Sequence, residues 1–247
     1  MSGSFTFNGT SSAEYGLLVN NVSNFGAPSR VVEKVQVPYR NGDLLIDTGT
    51  YTNYIVTYTV SLIHNAVATA RDIAAWLLAP QGYCELTDSY NSGETRHAAY
   101  YGDINVTMEH LNRYGRANIS FDCKPQRYLD SGQSSTTITG VDSITNPTIY
   151  PARPLIETDG WGTFYIGDYE ITTTNPGIVG VSEMHIDCET MQCYFEVSVP
   201  PNILKVNGSP YVEMPQGFPI LKTGSNNIDA TGMSGNKITI TPRWWRL

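Results

Sequence analysis

The sequence predicts a mainly β protein of two domains, with a single helix in the first. Three observations carry this prediction. Apolar and polar residues alternate with period two at many places along the chain. Only one segment shows helical spacing. Beyond Asp130, turn residues recur about every ten positions, which is the punctuation of a β-sandwich. The expected domains are residues 1–130 and 131–247.

The elements follow in order. Val31, Val35 and Val37 form an apolar strand that Pro38 ends, because proline has no amide to donate to a ladder. Asn41-Gly42 is a hairpin-turn dipeptide, since both residues tolerate positive φ. Leu44 to Asp47 resumes as a strand, and Thr48-Gly49 breaks it. Val56, Tyr58, Val60 and Leu62 alternate with polar neighbours, as do Ile104, Val106 and Met108, and then Ile119, Phe121 and Cys123. Between them, Ala66, Ala70, Ile73, Ala74, Leu77 and Leu78 share one helical face. Asn65 is the expected N-cap, and Pro80 with Gly82 ends the helix.

The composition shifts at Asp130, where Asp130-Ser131-Gly132-Gln133-Ser134-Ser135-Thr136-Thr137 reads as a polar linker. The remaining chain is strand and turn without a helical period. Ile186–Cys188 and Cys193–Val199 read as a hairpin about Glu189–Gln192, which would set Cys188 against Cys193.

Charged residues make up 15% of the chain, well under the usual ~25%, so the surface is polar but weakly charged. That suits a subunit packed against neighbours, and it also suits a sugar-binding β protein. Sixteen tyrosines favour contact surfaces, because each joins a broad ring to a hydrogen-bonding tip. Net charge is −8; residues 1–130 hold nine basic against twelve acidic residues and the rest six against eleven. Neither half carries a basic cluster, so counterion release has little to draw on and specific nucleic-acid binding is not expected. No apolar run of about 18 residues is present, so no membrane span is expected. The start shows no secretory pattern, so synthesis in a cytoplasm with reduced cysteines is the expectation.

Catalytic grammar is thin. No G-x-S-x-G elbow, P-loop or G-x-G-x-x-G occurs. Asp168 with Glu170, and Asp187 with Glu189, are the carboxylate pairs a glycosidase would need, yet solvated strand faces carry such pairs routinely. His64, His97, His110 and His185 are scattered without metal-ligand spacing, and Cys188 with Cys193 lacks partners for a zinc set. No catalytic residue, metal or cofactor is expected. Trp161, Trp244 and Trp245 are candidates for stacking on a sugar. Trp244 and Trp245 are neighbours, so in a strand one turns to the core and only the other to solvent.

Four places carry a resemblance. Asp47-x-Gly49-x-Tyr51 follows a Pro38-x-Arg40-x-Gly42 turn. Phe5-Thr6-Phe7-Asn8-Gly9 precedes Tyr15-Gly16-Leu17. Trp76-Leu77 precedes Gly82-Tyr83-x-x-Leu86-x-Asp88-x-Tyr90, and Ile119-Ser120-Phe121-x-Cys123-Lys124-Pro125 closes the first domain. Together they resemble the distal tail proteins (Dit) of bacteriophages with long flexible tails. Tyr39-Arg40-Asn41-Gly42 stands where the family pattern reads Pro-Gly-Arg-x-Gly.

The resemblance implies a virion protein at the tail tip. Its first domain would form a homo-oligomeric ring, typically hexameric, and its second would be a galectin-like β-sandwich. The ring would join the tail tube protein to the tail-associated host-recognition protein, with the tape-measure protein and DNA passing through. Pro38, Arg40, Gly42, Asp47 and Tyr51 would lie along the contact between ring neighbours. The competing reading is a carbohydrate-binding module adhering to a bacterial cell surface, which needs an exposed aromatic platform.

Overall fold

The computed structural model describes residues 3–23, 26–62, 66–103, 106–109, 114–199 and 202–247. The expected N-cap Asn65, His64, His110 and the strand residues Ile104 and Asn105 lie outside the described residues. The chain divides into two compact units, Met1–Arg127 with Leu247, and Tyr128–Arg246.

In the first unit the strands are β1 (Phe5–Phe7), β2 (Thr10–Ser11), β3 (Leu17–Val22), β4 (Arg30–Gln36), β5 (Asp43–Tyr51), β6 (Tyr54–Leu62), β7 (Cys84–Asp88), β8 (Glu94–Ala99), β9 (Val106–Glu109) and β10 (Tyr114–Leu129). Helix α1 spans Ala66–Leu78. The main sheet runs β2-β1-β7-β8-β10-β6-β3, with β9 also paired to β10. Register is set by the period-two pattern: β10 pairs antiparallel with β6 from Gly115 opposite Leu62 to Cys123 opposite Tyr54. Val56, Tyr58, Val60 and Leu62 on one strand and Ile119, Phe121 and Cys123 on the other are therefore all buried on one face. A one-residue slip would turn all of them to water.

The genuine two-residue Asn-Gly turn of this chain is Asn8-Gly9. Phe7 pairs with Thr10 across it, and both turn residues have positive φ, 48° and 79°. That is the turn whose twist matches a hairpin.

Helix α1 packs on this core through Ile73, Trp76 and Leu77. The Trp76 ring stacks on Tyr15 at 4.8 Å and on Phe5 at 5.8 Å, and its Nε1 donates to the Phe7 carbonyl at 3.4 Å. Leu78, expected on the same face, is 54% exposed. The positions three and four residues after Ile73 are Trp76 and Leu77, and the next residue is turned about 100° away.

In the second unit a short helix α2 (Asp130–Gln133) leads into β11 (Thr136–Thr139), β12 (Val141–Asn146), β13 (Leu155–Asp159), β14 (Gly162–Ile166), β15 (Tyr169–Thr173), β16 (Glu183–Asp187), β17 (Gln192–Val199), β18 (Asn202–Asn207), β19 (Val212–Glu213), β20 (Gly224–Asp229), β21 (Lys237–Thr241) and β22 (Trp245–Arg246). Apart from β22, which pairs with β10, these strands form two antiparallel sheets, β11-β21-β13-β16-β17-β18 and β12-β20-β14-β15-β19. Ile156, Ile186, Phe195 and Ile240 from the first sheet share one core with Phe164, Ile166, Ile171 and Ile228 from the second. Two sheets enclosing one core make a sandwich.

The polar run at 130–137 is thus not a linker but helix and strand. Its backbone is tied down: Leu129 N–H donates to the Trp244 carbonyl at 2.9 Å, and Arg243 N–H donates to the Gly132 carbonyl at 2.7 Å. Polar composition misleads here because backbone bonds, not side-chain burial, hold the segment.

The expected opposition of Cys188 and Cys193 is corrected by register. Gln192 pairs with Asp187 and Cys193 with Ile186, so Cys188 opens the turn, which runs to Met191 at φ 55°. Both thiols are free and buried.

Candidate functional site

Strands β4 and β5 stand apart. They form a two-stranded sheet, and among the described residues no third strand pairs with either. Val35 faces Leu44 and Glu33 faces Ile46, while Lys34 faces Leu45 and Val32 faces Asp47. Apolar side chains therefore appear on both faces of the ribbon. Val31, Leu44, Leu45 and Ile46 are 36%, 41%, 61% and 45% exposed. A two-stranded ribbon is marginal on its own in water, and apolar residues on both faces need cover.

The connection between the strands corrects the expected tight turn. Gln36 pairs with Asp43, so six residues, Val37–Gly42, make the loop. Its left-handed positions are Tyr39 at φ 63° and Gly42 at φ 81°, and Arg40 N–H donates to the Val37 carbonyl at 3.2 Å. Pro38 follows the strand and cannot extend the ladder. Tyr39 is fully exposed at the tip. Among the described residues the Arg40 guanidinium has no ion-pair partner.

Thr48-Gly49 does not break the strand. Arg30 faces Tyr51 and Val32 faces Asp47, so three residues of β5 bulge opposite Val31. Gly49 takes φ 72°, which an L side chain rarely adopts, and its N–H donates to Asp47 Oδ1 at 2.8 Å. Thr48 Oγ1 donates to the Val31 carbonyl at 3.0 Å. Arg30 closes the bulge: its guanidinium donates to Asp47 Oδ2 at 2.7 Å and to the Tyr51 hydroxyl at 3.1 Å. The charge of Arg30 lies 5.5 Å from the Tyr51 ring centroid.

The five residues expected at a subunit contact thus fall into two groups on one arm. Pro38, Arg40 and Gly42 sit in the loop; Asp47 and Tyr51 sit at the bulge, joined by Arg30. At strand rise the six steps of β4 from Gln36 to Arg30 span roughly 20 Å. Arg30 and the exposed apolar set Val31, Leu44, Leu45 and Ile46 share this arm and were not among the five residues singled out. Their sequence signal is three consecutive apolar residues that do not alternate, in a strand where one face should be polar.

The structure places the other candidates as follows. Trp244 is 4% exposed and fills the core of the second unit. Trp245 is half-buried, stacked on Tyr150 at 4.5 Å, and donates to the Pro151 carbonyl at 2.9 Å. Trp161 is half-buried against the same core. Asp168 lies in the turn before β15 and pairs with Lys222 at 2.9 Å, so it shares no strand with Glu170. Arg243 holds Asp187 at 2.7 Å and Glu189 at 3.5 Å, and Tyr128 donates to Glu189 at 2.7 Å. Burial pushes the Asp187 carboxyl up, but bonds from Arg243, Thr190 and Glu189 outweigh it and hold it below the usual range. A general acid needs the opposite shift. His185 stacks on Tyr194, and His97 lies opposite Glu85 in β8. Among the described residues no group of His, Cys, Asp and Glu could hold a metal ion, and no helix is long and apolar enough to cross a membrane.

No sequence-family model matches the chain, and no curated protein matches it. Solved structures do. One is the SPP1 Dit protein, described as a paradigm of the hub of the adsorption apparatus in phages that infect Gram-positive bacteria. It is 15% identical, with a TM-score of 0.67 over 100% of both chains. A chain of the phage p2 baseplate in its activated conformation with strontium is 10% identical, with a TM-score of 0.55 over 100% of this chain and 98% of that one. The calcium form of that baseplate gives 10% identity and a TM-score of 0.54 over 97% and 98%. From end to end, this chain has the mostly β fold of these phage tail and baseplate proteins.

Proposed function

We propose that the chain is a structural, non-enzymatic subunit of a bacteriophage tail tip that closes into a homo-oligomeric ring through the β4–β5 arm. The observation that carries this reading is the arm itself, a ribbon that no third strand among the described residues pairs with, carrying the exposed apolar residues Val31, Leu44, Leu45 and Ile46. A heterologous contact, arm to the body of the next copy, repeats around a closed ring without leaving an arm uncovered. The shared fold along the whole SPP1 Dit chain supports the tail-tip setting. The family resemblance supports six copies. It also supports contacts with the tail tube protein on one side, the tail-associated host-recognition protein on the other and the tape-measure protein within. Both halves of the chain are acidic, so DNA passing through such a ring would slide rather than stick.

Native mass spectrometry of the purified chain tests this. A closed oligomer that reverts to monomer when the arm residues 37–42 are replaced by a short Gly-Ser turn is the expected result. A monomer at every concentration, with no copies in virions, would refute it.

A further inference from the structure

Asn-Gly pairs occur at three places in the chain, Asn8-Gly9, Asn41-Gly42 and Asn207-Gly208. In such a pair the glycine nitrogen can close a five-membered ring onto the asparagine side-chain carbon, because glycine has no Cβ to block the approach. The ring closes only when the asparagine Cβ eclipses that nitrogen, so the backbone must be free to turn about ψ. The nitrogen must also be free of a hydrogen bond, since it gives up its proton first. The fold treats the three pairs differently.

Asn207 is held twice. Its Oδ1 accepts from Ser209 N–H at 3.0 Å, and Gly208 N–H donates to the Cys193 carbonyl at 2.8 Å. Asn207 also ends β18, opposite Tyr194. Asn8 is held by its backbone. It sits at φ 48° in the tight turn closed by Phe7 and Thr10, and its own N–H donates to the Glu85 carbonyl at 3.0 Å. Eclipsing its Cβ with the next nitrogen would carry Asn8 out of the left-handed well that this turn requires.

Neither restraint acts on Asn41. Among the described residues, neither its side chain nor the Gly42 N–H makes a hydrogen bond, and both residues are exposed. The turn bond from Arg40 N–H to the Val37 carbonyl closes before Asn41, and the ladder resumes after Gly42 with Gln36 opposite Asp43. Asn41 and Gly42 lie between these two fastenings. Beyond the chain neighbours of Gly42, no atom lies within 4 Å of the place its Cβ would occupy, so water reaches the nitrogen.

We propose that Asn41-Gly42 is a site of spontaneous modification, at which the asparagine deamidates through a succinimide. The Gly42 nitrogen, its proton taken by hydroxide, attacks Asn41 Cγ. The N–Cγ bond forms, the Cγ–Nδ2 bond breaks, and Nδ2 leaves as ammonia after taking a proton from water. Water then opens the ring. Cleavage of the new N–Cγ bond gives aspartate; cleavage of the original peptide C–N bond gives isoaspartate, with the main chain rerouted through Cβ. One water enters, one ammonia leaves and nothing is oxidised. Either product sets a carboxylate beside Arg40, the one charged residue of the loop Val37–Gly42. Isoaspartate also adds a methylene to the main chain of the arm. The chemistry depends on the loop alone, so it holds whether or not the arm closes a ring.

The test is a timed incubation of the full chain in mildly alkaline buffer, followed by pepsin digestion in acid, where ring closure stops. Mass spectrometry with electron-transfer fragmentation then separates amide, aspartate and isoaspartate at each position. Asn41 is expected to convert on the order of tenfold faster than Asn8 and Asn207, because each of those must first give up a hydrogen bond worth about that factor. Isoaspartate should be among the products, and the rate should rise with pH. In Asn41→Gln, whose longer side chain would close a larger ring, the early conversion should be lost. In denaturant the three pairs should converge on similar rates, since their local chemistry is the same. An amide persisting at Asn41 while Asn8 or Asn207 converts overturns the proposal. So do equal rates at the three pairs in the native chain, or aspartate formed without isoaspartate, which would mean direct hydrolysis.

Discussion

The Arg96 guanidinium meets the Asp88 carboxylate at 2.7 Å inside the first unit, with 1% and 0% of the two side chains exposed. The same oxygen accepts from the Tyr58 hydroxyl at 2.7 Å. The other oxygen accepts from Tyr90 N–H, Asn91 N–H and the Asn91 amide, at 2.8–2.9 Å. Arg96 Nε also donates to the Tyr54 hydroxyl at 3.1 Å. The pair links β7, β8 and β6 through a network whose carboxylate is fully satisfied. Removing one partner leaves the other charged, buried and uncompensated.

Asp88→Asn is therefore expected to destabilise the protein by about 3–5 kcal/mol. Chemical denaturation with a probe in the first unit measures this. A loss below about 1 kcal/mol would show that the pair contributes nothing net.

The same pair sets an acid limit. Burial, the largest influence, favours neutral Asp88, but bonds from Asn91, Tyr58 and Arg96 and the charge of Arg96 outweigh it and lower its titration point. A lowered folded value stabilises above the unfolded carboxylate value of about 3.9, and the stabilisation is lost as pH falls through the folded one. Asp187 shifts in the same direction. The thermal midpoint should fall below about pH 4, and the fall should be smaller in Asp88→Asn, which no longer titrates there.

Leu45→Lys and Arg40→Glu are expected to impair assembly while barely moving the monomer's thermal midpoint. Leu45 is exposed on the arm, so its replacement removes apolar contact area from a partner and none from its own core. A desolvated Arg40 contact would lose about 2–5 kcal/mol per interface on charge reversal. Light scattering against concentration distinguishes the variants. Intact oligomers in both would remove the arm from the interface.

Cysteine labelling reads the packing of both units. Burial pushes the Cys123 thiol up to about 12 and Cys193 up to about 11, and raises Cys188 further. Cys84 is half-buried and more accessible. Native protein treated with iodoacetamide should take up one label, at Cys84, and all four after denaturation. Rapid labelling of Cys188 or Cys193 in native protein would contradict the register of β16 and β17.

Gly132→Ala tests what anchors α2. A Cβ there would collide with the backbone nitrogen and side chain of Trp244. Overpacking of this kind costs typically about 1–3 kcal/mol, and the cost should appear in the tryptophan fluorescence transition of the second unit. A neutral substitution would mean that the segment carrying Trp244 yields freely.

What the sequence by itself determined is the periodic part of this protein. Val56 to Leu62 and Ile119 to Cys123 bury alternate residues because a strand's period is two and one face must leave water. The helix at 66–78 and the β-rich second half were legible for similar local reasons. Tertiary structure decided the rest. Asn41-Gly42 has hairpin chemistry, yet pairing of Gln36 with Asp43 placed it in a six-residue loop, while Asn8-Gly9 became the tight turn. The run at 130–137 looked like a linker because its anchors, Arg243 and Trp244, are more than a hundred residues away in sequence. Cys188 missed Cys193 because the turn takes four residues, Cys188–Met191, which sets Cys193 opposite Ile186, two positions before Cys188. The exposed ribbon and the Arg96–Asp88 pair each join residues from separate strands. No local pattern specifies such a meeting; the ladder that brings the strands together does.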